Sequence, residues 1–179
     1  ITKDDIFKWK IGYCAEGEYA GRIVVPSFNS SGYANYFIAR SYGYDWPRYK
    51  NPPASRDIIF NELYVNWDED IVIVEGVFDA IKAGNAIPLL GSTLRENSAL
   101  FQAIVKGGNR VFLALDEDAS KKTRSISRLL LKYGIETYEI DTSGIEDVGD
   151  MSKEEFQVRK SKASFIEKDN YLLQRLSAI

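Results

Sequence analysis

From Ile71 onward the chain repeats one pattern that few folds accommodate: a short apolar run, a loop, and a helix-spaced segment stopped by glycine. Ile71-Val72-Ile73-Val74 has no polar alternation, as expected of a strand covered on both faces. A helix is predicted over 77–83, ending near Gly84, and then a strand over 87–90. A helix over about 96–106 closes at Gly107-Gly108, and a strand spans 110–115. A basic helix over about 120–133 stops at Gly134, and a last alternating strand covers 135–140. Strands and helices in this order, joined by short loops, predict a parallel sheet with helices on its faces.

The first third has a different texture. Eight of the eleven tyrosines and four of the five prolines lie before Asn66, among short alternating runs such as Arg22 to Val25 and Tyr36 to Ala39. Turn signals at Asn29-Ser30-Ser31-Gly32 and Asn51-Pro52-Pro53 break them. The fold class expected is therefore α/β, or α+β overall, in three parts. These are a small β-rich subdomain over 1–67, a parallel α/β sheet over 68–150 and a helical segment over 151–179. In the last part Ser152-Lys153-Glu154-Glu155 has the form of a capping box, and the apolar spacing predicts a further helix over 164–176.

Residue types absent from the chain exclude whole chemistries. With no histidine and one cysteine, Cys14, it cannot build a Cys/His zinc site, a haem ligand set, a Ser-His-Asp triad or a disulfide. A metal would have to be held by oxygen, which suits Mg²⁺, Mn²⁺ or Ca²⁺. No apolar run approaches the roughly 20 residues of a membrane span, so no membrane partner is expected and the chain reads as intracellular. Charge is segregated: residues 1–66 carry a net +1, 67–150 a net −6 and 151–179 a net +2. Bulk charge therefore does not predict a non-specific nucleic-acid binder, although a local basic groove is compatible with it.

The acid falls where an open α/β sheet collects ligands, at the carboxyl ends of its strands. Glu75 follows the 71–74 strand, Asp116 and Asp118 follow the 110–115 strand, and Asp147 and Asp150 lie in the loop after 135–140. Carboxylates drawn together raise one another's pKa, a cost that a divalent cation offsets. In extended backbone Asp116 and Asp118 would project to one side, with Glu117 away from them, so one cation could bridge the pair. Glu75 and Asp79 are four residues apart and would share a face of a helix starting there, with Gly76 allowing a close backbone approach.

Glu75-Gly76-Val77-Phe78-Asp79 after a β-branched strand, Leu90-Gly91-Ser92-Thr93, and Leu115-Asp116-Glu117-Asp118 together resemble the Toprim domain of DnaG-type primases, topoisomerases and some nucleases. Upstream, Gly21 to Pro26, Gly32, Phe37 to Arg40, Pro47 to Asn51, Ile59-Phe60 and Leu63-Tyr64 are similar in order to the catalytic core of DnaG-type primases, with shortened segments that look phage- or plasmid-like. The resemblance covers roughly residues 1–150. It implies Mg²⁺ or Mn²⁺ held by Glu75, Asp116, Asp118 and Asp147, with Asp150 in the third acidic motif and Asp79 beside the metals. It implies contacts from Arg22, Arg40, Arg48 and Lys50 to template phosphates or the incoming nucleotide. Asn61 departs from the pattern, standing where a lysine is usual.

The activity so implied is template-directed synthesis of short RNA primers on single-stranded DNA by two-metal nucleotidyl transfer, in the cytoplasm or nucleoid of a bacterial or phage-infected cell. Partners implied are single-stranded DNA, ribonucleoside triphosphates, and a zinc-binding domain and replicative helicase outside these residues. A Toprim nuclease and a catalytically degenerate scaffold are the alternatives; a topoisomerase would need a nucleophilic Tyr on a separate domain. Aromatics near the basic residues, Tyr36, Phe37, Tyr42, Tyr44, Trp46 and Tyr49, either stack on unpaired bases or fill a small β core.

Overall fold

The computed structural model describes residues 1–43, 46–91, 93–145 and 147–167, with the Glu117 side chain also outside the description. The chain divides into two compact units, Ile1–Val65 and Asn66–Ile179.

The first unit opens with α1 (Lys3–Lys8), whose start Thr2 and Asp5 cap reciprocally. The Thr2 hydroxyl accepts from the Asp5 amide at 3.2 Å and the Asp5 carboxylate accepts from the Thr2 amide at 2.8 Å, satisfying two amides that a helix start leaves open. Three antiparallel strands follow in sequence order, β1 (Gly12–Cys14), β2 (Arg22–Phe28) and β3 (Ala34–Ser41). The β2–β3 hairpin turns on Asn29, whose Oδ1 accepts from the Ser31 and Tyr33 amides, while Gly32 supplies a φ of 81°. Trp9, Val25, Tyr36, Ile38, Ala39, Ile59 and Phe60 are its buried apolar residues.

The second unit holds a five-stranded sheet of order β5-β4-β6-β7-β8. Its elements in chain order are β4 (Ile71–Val74), α2 (Val77–Ala83), β5 (Ala86–Pro88), α3 (Ala99–Gly107), β6 (Val111–Ala114), α4 (Ser120–Lys132), β7 (Thr137–Glu139), α5 (Lys153–Ser161) and β8 (Ser164–Phe165). β5, β4, β6 and β7 are parallel and β8 is antiparallel to β7. Every residue of β4 and β6 is buried, which is why these two strands read as unbroken apolar runs. α3 starts three residues later than the sequence spacing suggests, because Ser98 caps it by accepting from the Phe101 amide and is itself held in a turn with Arg95.

The C-terminal part differs from expectation. Ser164 and Phe165 do not begin a helix but form β8, pairing with Glu139 and Tyr138. Tyr138 lies between Phe112, stacked at 4.7 Å, and Phe165 at 5.3 Å, and this run of aromatic neighbours favours a strand at the sheet edge. The remainder of the expected helix, 168–176, lies outside the described residues. α5 is capped by Ser152, which accepts from the Glu155 amide at 3.0 Å, and anchored by the fully buried Phe156. Its Arg159 donates to the carbonyls of Asp141 and Ser143, fixing the loop after β7. Among the described residues no helix is long and apolar enough to cross a membrane.

Candidate functional site

Parallel strands deliver their carboxyl ends to one edge of the sheet, and β4 and β6 are neighbours, so Glu75 and Asp116 emerge side by side. Glu75 is half-buried, and its Oε2 accepts from Lys122 Nζ at 2.8 Å. Its other oxygen, Oε1, is buried without a hydrogen-bond partner among the described residues, and so is Asp116 Oδ1. A carboxylate oxygen can only accept, so an orphaned one in a buried position marks a place for a donor or a cation.

Asp79 sits in the first turn of α2 and faces away from solvent. Its Oδ2 accepts from the Gly76 amide at 2.7 Å and its Oδ1 from the Gly149 amide at 3.0 Å. Asp147 Oδ1 accepts from the same Gly149 amide at 2.8 Å. A Cβ on residue 149 would lie 3.0 Å from Asp147 Oδ1 and 3.1 Å from Asp79 Oδ1, so any larger residue would crowd both acids and push them back by a few tenths of an ångström. Burial, then the hydrogen bond with Asp147, raise the Asp79 pKa to about 8, against the lowering effect of the Gly76 amide. Asp79 therefore keeps its proton well above the usual carboxylate range, and its hydrogen bond with Asp147 favours that protonated form. Burial and then the charges of Glu75, Asp147 and Asp118 raise Asp116 to about 6.

These facts revise the expected geometry of two pairs. Asp116 and Asp118 do not share one side of an extended segment: residues Glu117–Ala119 form a single 3-10 turn, closed by the Ala119 amide on the Asp116 carbonyl, because α4 begins immediately after it. Asp118 is left exposed, and the Glu117 side chain lies outside the description. Asp79 does not join Glu75 but turns back to the α2 amide and to Asp147. Asp150 is exposed at the end of the turn that starts at Asp147. Among the described residues no three acidic or cysteine side chains converge into a ready ligand set. The orphaned oxygens of Glu75 and Asp116 nevertheless fit a hard divalent cation in donor type and charge. A pocket of about 310 Å³ opens beside Asp116, lined in part by Ser120, Thr123, Thr142 and Ser143, so accessible volume begins at that carboxylate.

The four basic candidates lie in the first unit and fall into two kinds. Arg22 is buried and Nη1 donates to the carbonyl of Pro47 at 2.9 Å and to those of Ala39 and Arg48 at 3.5 Å. These bonds tie the 47–48 segment to the sheet. Replacing Arg22 with Met should cost about 2–4 kcal/mol, since a buried guanidinium and the carbonyls it ties together lose a charge-assisted bond. Urea unfolding measures it, and a loss below about 0.5 kcal/mol, the range of an ordinary surface change, would contradict this placement. Arg48 is exposed, Arg40 lies over the Tyr49 ring at 5.8 Å, and Lys50 pairs with Glu18 at 3.1 Å. Among the aromatics Tyr36 is core, whereas Tyr42, Trp46 and Tyr49 are exposed, and Tyr44 lies outside the described residues.

Sequence reasoning did not single out Lys122 or Gly149. Lys122 follows Lys121 in a basic helix, and nothing in the sequence separates the inward-facing one from the solvated one. Asn61, where a lysine is usual, is buried in left-handed backbone (φ 54°) and uses Oδ1 to accept from the Phe28 amide, so this position builds the hairpin.

No protein-family model matches the chain. A DNA primase of Thermotoga maritima is 29% identical in an alignment 153 residues long that covers 76% of this chain and 27% of that protein. The Aquifex aeolicus primase, solved as its zinc-binding and RNA polymerase domains, superposes with a TM-score of 0.77 at 21% identity, covering 93% of this chain and 54% of that one. A DnaG primase catalytic domain bound to single-stranded DNA superposes with a TM-score of 0.74 at 18% identity, over 92% of this chain and 69% of that one. The chain thus spans about a quarter of the curated relative and about half of the Aquifex structure. It carries the fold of the DnaG-type primase catalytic core and is related in sequence to a DNA primase.

Proposed function

We propose that the chain is the catalytic core of a DNA primase, joining ribonucleotides into short primers on a single-stranded DNA template. The observation that supports this most is the pair of buried, unpartnered carboxylate oxygens, Glu75 Oε1 and Asp116 Oδ1, at adjacent strand ends of a primase-type sheet. Glu75 and Asp116 would hold Mg²⁺ or Mn²⁺, with Asp118, Asp147 and Asp150 completing the ligand set. A divalent cation supplies charge neutralisation at the triphosphate and activation of the attacking 3′-hydroxyl. The chain's own residues prepare for it. Asp79 keeps Asp147 in place through its proton and the shared Gly149 amide, and β4 and β6 hold Glu75 and Asp116 at a fixed spacing. Arg40, Arg48 and Lys50 would meet the phosphates of template or nucleotide, and the exposed Tyr42, Trp46 and Tyr49 would offer faces to unpaired bases. Arg22 would serve by positioning Pro47 and Arg48. Template recognition and unwinding would come from a zinc-binding domain and a replicative helicase, in the cytoplasm or nucleoid of a bacterial or phage-infected cell.

The test is one gel with end-labelled single-stranded DNA, labelled ribonucleotides and Mn²⁺, resolving new oligonucleotides and shortened template together. Triphosphate-dependent oligonucleotides are expected. Shortened template without synthesis would replace this reading with a Toprim nuclease, and silence in both channels with a scaffold.

A further inference from the structure

We propose that Lys122 is an internal counter-ion for the acidic edge, which a divalent cation must displace in order to bind. The proposal rests on the reading of Glu75 and Asp116 as cation ligands. α4 brings three cationic side chains to its first turns, Lys121, Lys122 and Arg124. Lys121 and Arg124 are exposed, whereas Lys122 turns inward to Glu75, and each partner of that pair keeps about a quarter of its side chain exposed, 24% and 23%. The ammonium satisfies Glu75 Oε2 and leaves Oε1 and Asp116 Oδ1 without partners among the described residues, so it neutralises only part of the carboxylate charge gathered there. A monovalent cation stands where a divalent one would be better matched.

The two cations would share one carboxylate, the ammonium on Oε2 and the dication on Oε1. A dication on Glu75 would lie within a few ångströms of the ammonium, and their repulsion in a partly desolvated site is large enough to expel the weaker binder. Lysine suits the role because its charge sits on a flexible four-carbon stem and can withdraw to solvent without moving the helix. The pair has two consequences. Without metal it limits repulsion between Glu75 and Asp116. With metal present, the free energy of breaking it is subtracted from the binding, so the apparent affinity is weaker than the carboxylates alone would give.

The experiment is calorimetric titration of Mn²⁺ into the intact chain as wild type, Lys122→Met, Lys122→Gln, Lys122→Arg and Glu75→Gln, with melting temperatures in metal-free buffer. Exchange predicts that Lys122→Met and Lys122→Gln bind Mn²⁺ on the order of tenfold more tightly, because a competing charge is gone, while melting lower without metal. Lys122→Arg, which keeps the charge on a less mobile fork, should bind no tighter than wild type. A purely structural lysine would lower the melting temperature without tightening Mn²⁺. Unchanged or weaker binding in Lys122→Met and Lys122→Gln, with wild-type binding lost in Glu75→Gln, would overturn the exchange and leave the ligand reading standing. No Mn²⁺ binding in any protein, or binding that survives Glu75→Gln, would overturn the ligand reading and the exchange with it.

Discussion

Glu75→Gln and Asp118→Asn should each lower primer synthesis by more than about a hundredfold, given that outer partners of metal ligands alone are worth roughly 10–100-fold. Both proteins should remain folded. Gln keeps the shape of Glu75 and its amide oxygen can still accept from Lys122, while Asp116 is relieved of a neighbouring charge that raises its pKa. Asp118 is exposed in a 3-10 turn, so its neutral counterpart should change stability by no more than about 0.5 kcal/mol. Gel quantification of primers, beside a melting curve for each variant, separates the two effects. Near-normal synthesis by either variant would remove that residue from the site, and a collapsed melting temperature would assign the loss to folding.

The second large effect is on stability as a function of pH. The folded chain holds the Asp79 proton up to about pH 8, whereas the unfolded chain releases it near 3.8. Between these values the native state binds one more proton, so Asp79 removes stability as pH rises, at about 1.4 kcal/mol per pH unit for a full proton. Asp116, raised to about 6, acts in the same direction up to that pH. Asp79→Asn abolishes the first contribution, and its amide can still donate toward Asp147. The variant should therefore gain on wild type steadily from about pH 4 to about pH 8, with a total of a few kcal/mol, read from urea midpoints in metal-free buffer. Parallel profiles for the two proteins would mean that Asp79 is ionised in the fold.

How much of this is legible in the sequence depends on what each residue's role requires. β4 and β6 can be read because strands buried on both faces need four apolar residues in a row, and α2 and α4 because glycines stop them. Glu75 and Asp116 can be placed because they follow β4 and β6 closely and parallel topology puts those strand ends on one edge, whereas Asp147, eight residues beyond β7, depends on the path of its loop. β8 cannot be read: two residues of edge strand carry no period, and the aromatic row Phe112, Tyr138 and Phe165 exists only across strands. The turn from Asp116 to Asp118 is hidden for another reason. Leu115 continues the apolar run of β6 in the sequence, yet the strand ends at Ala114 and the chain is already turning into α4. Arg22 shows the same limit in the first unit. Its place in an alternating strand does not reveal which face meets carbonyls and which meets solvent.

Whether the acidic edge between β4 and β6 binds a divalent cation can be seen by diffraction from crystals soaked in Mn²⁺, with data collected at the manganese edge. An anomalous peak is expected in contact with carboxylate oxygens of both Glu75 and Asp116. No peak there, with Lys122 still paired to Glu75 at Mn²⁺ concentrations that support synthesis, would contradict a cation site at this edge.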